Sequence, residues 1–257
     1  MNAWGSALAG TWMVVSVMLS ACNFSVERPD PILLDGADTF PEQPDDLIND
    51  FAFDWRVEAR DSRGQRAASP FTESFSGTMS RRYREVVSPS DLLSPLYRVQ
   101  DEHRPREGSA FTRIHELGRN KSEQDWRWFA EGDQRLAGDS GARLLRPQIA
   151  VGDRFEVQFD YPGHHDTWRT FAEIEVLRTK TVETQMVDVE AYVVRIQGDD
   201  EDDGRFEGTD RYRFTKTLWI SPHVGIVKEQ WSIRERPGQC GYHLHTVRDY
   251  LLSSVPR

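Results

Sequence analysis

The residues whose types and spacing come nearest to a recognised chemistry are Asp199-Asp200-Glu201-Asp202-Asp203-Gly204. With Gly204 at position 6 of a calcium loop, Asp199, Glu201 and Asp203 fall at positions 1, 3 and 5, Glu207 at 9 and Asp210 at 12. Calcium takes roughly six to eight hard oxygens at about 2.3–2.6 Å, and this spacing turns several carboxylates inward. The pattern departs from the ideal in three ways. Position 3 is the longer Glu, position 12 is the shorter Asp, and the flanks read as strands rather than helices. The expectation is an acidic, solvated hairpin loop between strands at 185–197 and 208–217, with calcium binding as the alternative.

A second grouping is Cys240, His243 and His245, within six residues. Alternation puts both histidines on one strand face, and Asp249 is near enough to add an oxygen. Zinc wants three or four ligands in tetrahedral array, usually from more than one segment. A site here would need His164, His165 or Asp166 as a partner. Otherwise the histidines are exposed polar positions opposite Tyr242, Leu244 and Thr246. His103, His115 and His223 stand alone and carry no functional expectation.

Gly138-Asp139-Ser140-Gly141 resembles the nucleophile motif of chymotrypsin-like serine proteases. Ala142-Arg143 follows where that family has Gly-Pro, and no histidine has the surroundings of the catalytic base. The stretch reads as a polar turn. Pairs such as Glu173/Glu175 and Asp188/Glu190 describe a wet strand face. No phosphate loop, dinucleotide-binding glycine pattern, His-Glu-x-x-His or Gly-x-Ser-x-Gly occurs. The expectation is a protein that is not an enzyme, with no catalytic residues and no cofactor apart from the calcium alternative.

The strongest location signal is Leu19-Ser20-Ala21-Cys22, which ends an N-terminus of 21 residues without Asp, Glu, Lys or Arg. It resembles the lipobox of bacterial lipoproteins. That resemblance implies cleavage before Cys22 and a diacylglycerol on its thiol, with palmitate-type acyl chains. The apolar run Gly10–Ala21 is short for a bilayer span, which needs about 20 residues. Two or more acyl chains hold a protein firmly, whereas one holds it marginally. If Cys22 is acylated, Cys240 has no intrachain partner; a Cys22–Cys240 disulfide is the competing use. Asn23 is not the aspartate that retains enteric lipoproteins at the inner membrane, so the resemblance implies the outer membrane, facing the periplasm.

All 32 basic and 42 acidic residues lie beyond Ala21, giving a net charge of −10. That balance excludes the basic footprint of a nucleic-acid binder and repels anionic lipid surfaces. Membrane contact is therefore expected only through the N-terminal lipid. Residues 22–50 mix Pro29, Pro31, Pro41 and Pro44 with six aspartates and read as a tether.

From residue 51 the apolar period is two. Trp55, Val57 and Ala59 alternate with charged neighbours, as do Phe155, Val157, Phe159 and Tyr161, then Ala172, Ile174 and Val176, then Val187, Val189, Ala191 and Val193. Such runs predict half-buried antiparallel strands with one wet face. Less regular candidates are 73–87, 96–101, 111–117, 125–131, 208–220, 225–234 and 242–252. Turns separate them at Pro162-Gly163, Gly198–Gly204, Pro222-His223-Val224-Gly225 and Pro237-Gly238. Trp126 and Trp128 share one face and read as core. Ser90-Asp91-Leu92-Leu93, after Pro89, could form one helical turn.

The prediction is a mainly-β domain over 51–257, with roughly ten strands in one large curved sheet or half-barrel and little helix. Residues 51–137 and 143–253 could be two halves of it. Val151-Gly152-Asp153-Arg154-Phe155 together with Leu218-Trp219-Ile220-Ser221-Pro222-His223-Val224-Gly225-Ile226-Val227-Lys228 resembles periplasmic β-proteins, including the open half-barrel of the lipoprotein-localisation proteins. The resemblance covers about residues 143–233. It implies a concave sheet face filled by a helix, a loop or an apolar ligand. The functional expectation is a lipid-anchored envelope protein with a binding or structural role towards an apolar ligand or another envelope protein. A calcium-dependent adhesion or assembly module is the alternative.

Overall fold

The alternating runs become long strands that pair almost entirely with their neighbours in sequence. A computed structural model of the chain describes residues 47–61, 65, 73–89, 91–131, 134–135, 142–162, 167–185, 187–202, 211–222, 224–235 and 242–254. The strands are β1 (Leu47–Asp61), β2 (Glu73–Glu85), β3 (Leu93–Pro105), β4 (Phe111–Asn120), β5 (Trp126–Glu131), β6 (Gln134–Arg135) and β7 (Ala142–Leu145). They continue with β8 (Arg154–Pro162), β9 (Thr167–Glu183), β10 (Asp188–Asp202), β11 (Arg211–Ser221), β12 (Gly225–Glu235) and β13 (Tyr242–Ser254). No helix occurs among the described residues. The mainly-β prediction holds, and the count exceeds ten partly because β6 and β7 are only two and four residues long.

All pairings are antiparallel and belong to one sheet, ordered β6-β5-β4-β3-β2-β1-β13-β12-β11-β10-β9-β8, with β7 beside β5. β1 and β13 pair from Asp50↔Ser254 to Asp61↔Tyr242, joining the two ends of the strand succession. Residues 47–135 and 142–254 are therefore parts of one continuous sheet. The sheet curls into a nearly closed barrel. Its remaining seam lies between β6 and β7 on one side and β8 on the other, which touch but share no hydrogen-bond ladder among the described residues.

Two large apolar clusters fill most of the fold, beside a small one at Leu93 and Leu96. The first joins Tyr83, Tyr97, Leu117 and Trp126 from the N-terminal strands to Ile174, Val194, Leu218 and Ile220 from the C-terminal strands. The second joins Phe51, Phe53, Trp55, Tyr250 and Leu252 to the end of the long β9–β10 hairpin at Val182, Val187 and Val189. Register shifts at Val193/Val194 and Trp219/Ile220 bend the strands there. At both shifts the adjacent residues enter different clusters. One wet face is therefore the wrong description of these strands. Ile174, Glu175 and Val176 are buried in succession, as are Leu218 to Ser221.

Other expectations are corrected locally. β1 begins at Leu47, so residues assigned to the tether already pair with β2, where Asp50 accepts a hydrogen bond from the Ser80 hydroxyl at 2.7 Å. Asp91 and Leu92 form a turn into β3, and Leu93 is buried in that strand, so no helical turn forms over them. The Pro222–Gly225 turn stands as predicted, with Gly225 at φ +85°, a left-handed conformation that glycine adopts without steric cost. Gly152, at φ +97°, turns the chain into β8 in the same way. Cys22, residues 1–21 and most of the tether lie outside the described residues.

Candidate functional site

The site assembles on inward positions of strands that are remote in sequence. Arg81 on β2 reaches Asp101 on β3 with two parallel hydrogen bonds, Nε to Oδ1 and Nη2 to Oδ2, each 2.7 Å. Its Nη1 lies 3.5 Å from Oε2 of Glu229 on β12, and the Lys216 ammonium of β11 lies 3.3 Å from Oε1 of the same carboxylate. Trp231 donates its indole N–H to Glu229 as well. All four charged residues are buried. Removing charges from water costs several kcal/mol per ion, so they persist only because each is paired.

The pairing fixes the protonation states. Burial alone would raise the carboxyl of Asp101, yet the Arg81 guanidinium holds it down at about 2. Glu229 is likewise opposed by its burial and held at about 2 by Lys216 and Arg81. Burial pushes the Tyr83 hydroxyl up to about 12. His103 and His115 are each lowered to about 4, mainly by desolvation, so both are neutral at pH 7.

Aromatic rings frame the charges. Lys216 sits 4.0 Å from the Trp231 ring centre and 4.8 Å from that of Trp128. Arg248 and Arg113 lie over the Trp55 ring at 4.4 and 5.2 Å. Trp55 donates its N–H to the Tyr250 hydroxyl at 2.8 Å, and His103 Nε2 lies 3.2 Å from that oxygen. Among the described residues, the Trp128 indole N–H is buried without a hydrogen-bond partner.

These side chains enclose a cavity of about 70 Å³, lined by Arg81, Arg113, Lys216 and Arg248 against Asp101 and Glu229, with Trp128, Trp231 and Tyr250 in its wall. A second cavity of about 40 Å³ shares Trp128, Leu144, Lys216 and Trp231 with the first. It is otherwise mostly apolar, with Val157, Ala172, Ile174, Ile196 and Phe214. One water needs about 10–15 Å³ of such space, so each cavity takes a few heavy atoms and not a long acyl chain. A larger concavity, about 620 Å³, is an open groove with Glu156, Glu173 and Asp199 facing Arg213 and Phe171.

Those residues singled out from the sequence that the structure describes lie outside this cluster. Asp199 and Glu201 lie on β10, extended and in register with Arg213 and Arg211, and Asp199 is 3.2 Å from the Arg213 guanidinium. Asp203, Glu207 and Asp210 lie outside the described residues, as do Cys240, His164, His165, Asp166, His223 and Gly138–Gly141. His245 is buried rather than exposed, because its Nε2 meets the Ser232 hydroxyl at 2.9 Å across the β12–β13 pair. Asp249 engages Gln230 at 2.7 Å and Arg56 at 3.5 Å. Among the described residues no group of three or more His, Cys, Asp or Glu is placed to hold a metal. His103 and His115, to which the sequence assigned nothing, sit beside the central cluster. A signal was available for Arg81 and Lys216, which fall at inward positions of otherwise apolar strand faces, but their partners are too far along the chain to be read from it.

No protein-family model matches the chain, and no curated protein matches it. Its fold is similar to the crystal structure of a "putative lipoprotein" from Parabacteroides distasonis, at 11% identity and a TM-score of 0.40. The match covers 83% of this chain and 98% of the other.

Proposed function

We propose that this is a lipid-anchored protein of the bacterial envelope that works by binding rather than catalysis, and that the charged chamber inside its barrel is the binding site. The observation that carries the reading is the chamber itself: Arg81, Asp101, Lys216 and Glu229 paired around a cavity walled by Trp128, Trp231 and Tyr250. Acid–base catalysis needs a group whose pKa lies near the working pH. Here Asp101 and Glu229 are held at about 2 and the two histidines at about 4, so none is poised to move a proton at neutral pH. Fixed charges in an enclosed, aromatic-walled cavity suit holding and orienting a ligand.

The anchor rests on Leu19-Ser20-Ala21-Cys22, and Asn23 favours the outer membrane. The −10 charge leaves the lipid as the membrane contact. The test is mass spectrometry of the full chain extracted from membranes under native conditions. The expected result is a chain beginning at acylated Cys22 and carrying a small bound molecule, with Cys22→Ala released from the membrane. An unmodified N-terminus at Met1 sinks the anchor, and a Trp231→Ala variant that retains the bound molecule unchanged sinks the chamber as its site.

A further inference from the structure

We infer that the chamber takes a short-chain carboxylate, its head among Arg81, Arg113 and Arg248 and its tail in the adjoining apolar cavity. This rests on the reading of the chamber as a binding site. Three observations carry it. The first is charge. Arg81, Lys216, Asp101 and Glu229 offset one another, whereas Arg113 adds a further cation to the same lining, in a chain whose net charge is −10. Excess positive charge in a partly desolvated space favours an anion, and guanidinium groups match a carboxylate geometrically.

The second observation is an unused donor. The buried Trp128 N–H lacks a partner among the described residues, and Trp128 lines both cavities. A buried donor left unmade is costly, and a carboxylate oxygen would satisfy it. The third is the neighbouring cavity, which continues past Lys216 and Leu144 between Val157, Ala172 and Phe214. Leu144 is on β7 and Val157 on β8, the two edges that share no ladder. Among the described residues no ladder bridges this seam, which is the entry route the proposal takes.

The test is calorimetric titration of the purified full chain with acetate, hexanoate, decanoate and 1-hexanol at constant ionic strength. Hexanoate is expected to bind at least tenfold more tightly than acetate or hexanol, with no further gain for decanoate because the apolar cavity ends. Arg113→Met and Trp128→Phe should each weaken hexanoate severalfold or more. Ala172→Val, which fills the tail cavity, should weaken hexanoate and leave acetate unchanged; it also serves if Arg113→Met fails to fold. Hexanol or acetate binding as tightly as hexanoate overturns the ligand class while leaving the chamber as a site. Hexanoate binding that survives both Arg113→Met and Ala172→Val overturns the proposed placement. Binding of none of the four overturns the carboxylate, and the chamber then stands or falls on the molecule carried by the chain from membranes.

Discussion

Phe51, Val189 and Leu252 belong to a cluster of buried apolar side chains that meets charge at the Arg81 guanidinium, 5.4 Å from the Phe51 ring centre, whereas around Glu229 the same sheet holds four buried ions in contact. Both regions are buried, but they tolerate change differently. An apolar cluster loses stability roughly in proportion to the volume removed. An ion cluster fails when any one partner leaves, because the remaining charge stays buried and unpaired. The apolar region thus supplies stability, while the charged one fixes the position of specific groups around a cavity.

The largest contrast should come from Glu229→Ala, which strips Arg81 and Lys216 of a shared carboxylate and Trp231 of its acceptor. A loss of about 3–5 kcal/mol is expected in urea unfolding. A loss under about 1 kcal/mol, the range of exposed pairs, would mean that water solvates the cluster and the two regions do not differ as described.

Acid separates the regions next. His103 and His115 titrate at about 4 in the fold against an ordinary value near 6.5. As pH falls from 6.5 to 4 the unfolded chain takes up protons that the folded one refuses, so stability falls, by up to about 1.4 kcal/mol per pH unit for each histidine. Asp101 and Glu229 extend the loss between about 4 and 2. Stability against pH should be flat above 7. The His103→Phe, His115→Phe double variant should flatten the limb between 6.5 and 4; an unchanged limb would place the titration elsewhere.

A smaller effect is expected at Ile220 in the first apolar cluster. Ile220→Val should cost about 0.5–1.5 kcal/mol, equally at pH 7 and pH 5. A cost that changed with pH would show the apolar packing and the ion cluster to be coupled. The smallest effect is expected from calcium. With Asp199 extended on β10 beside Arg213, millimolar calcium should leave the melting temperature where it is; a clear rise would support calcium binding at 199–210.

Much of the fold was legible because strand period is a local property. Trp55 and Ala59, Ile174 and Val176, and Val189, Ala191 and Val193 are all buried as their alternation predicts. Glu175 breaks the pattern: it is buried where alternation puts it in water, because Arg154 and Arg195 hold it from the strands on either side. The site was almost illegible. Nothing near Arg81 in the sequence points to Glu229, 148 residues away, and nothing near His103 points to Tyr250, which meets it only across the fold.

By itself, then, the sequence determined the all-β class, the glycine turn at Gly225, the acidic charge and the lipobox-like N-terminus, because each depends on residues within a few positions of one another. Only the tertiary structure decided that β1 closes against β13, that the strands near Val194 and Ile220 are covered on both faces, and that four ions meet inside the barrel. Those outcomes depend on which distant strands pair. Pairing is chosen by burial summed over the whole sheet, a quantity that no single segment carries.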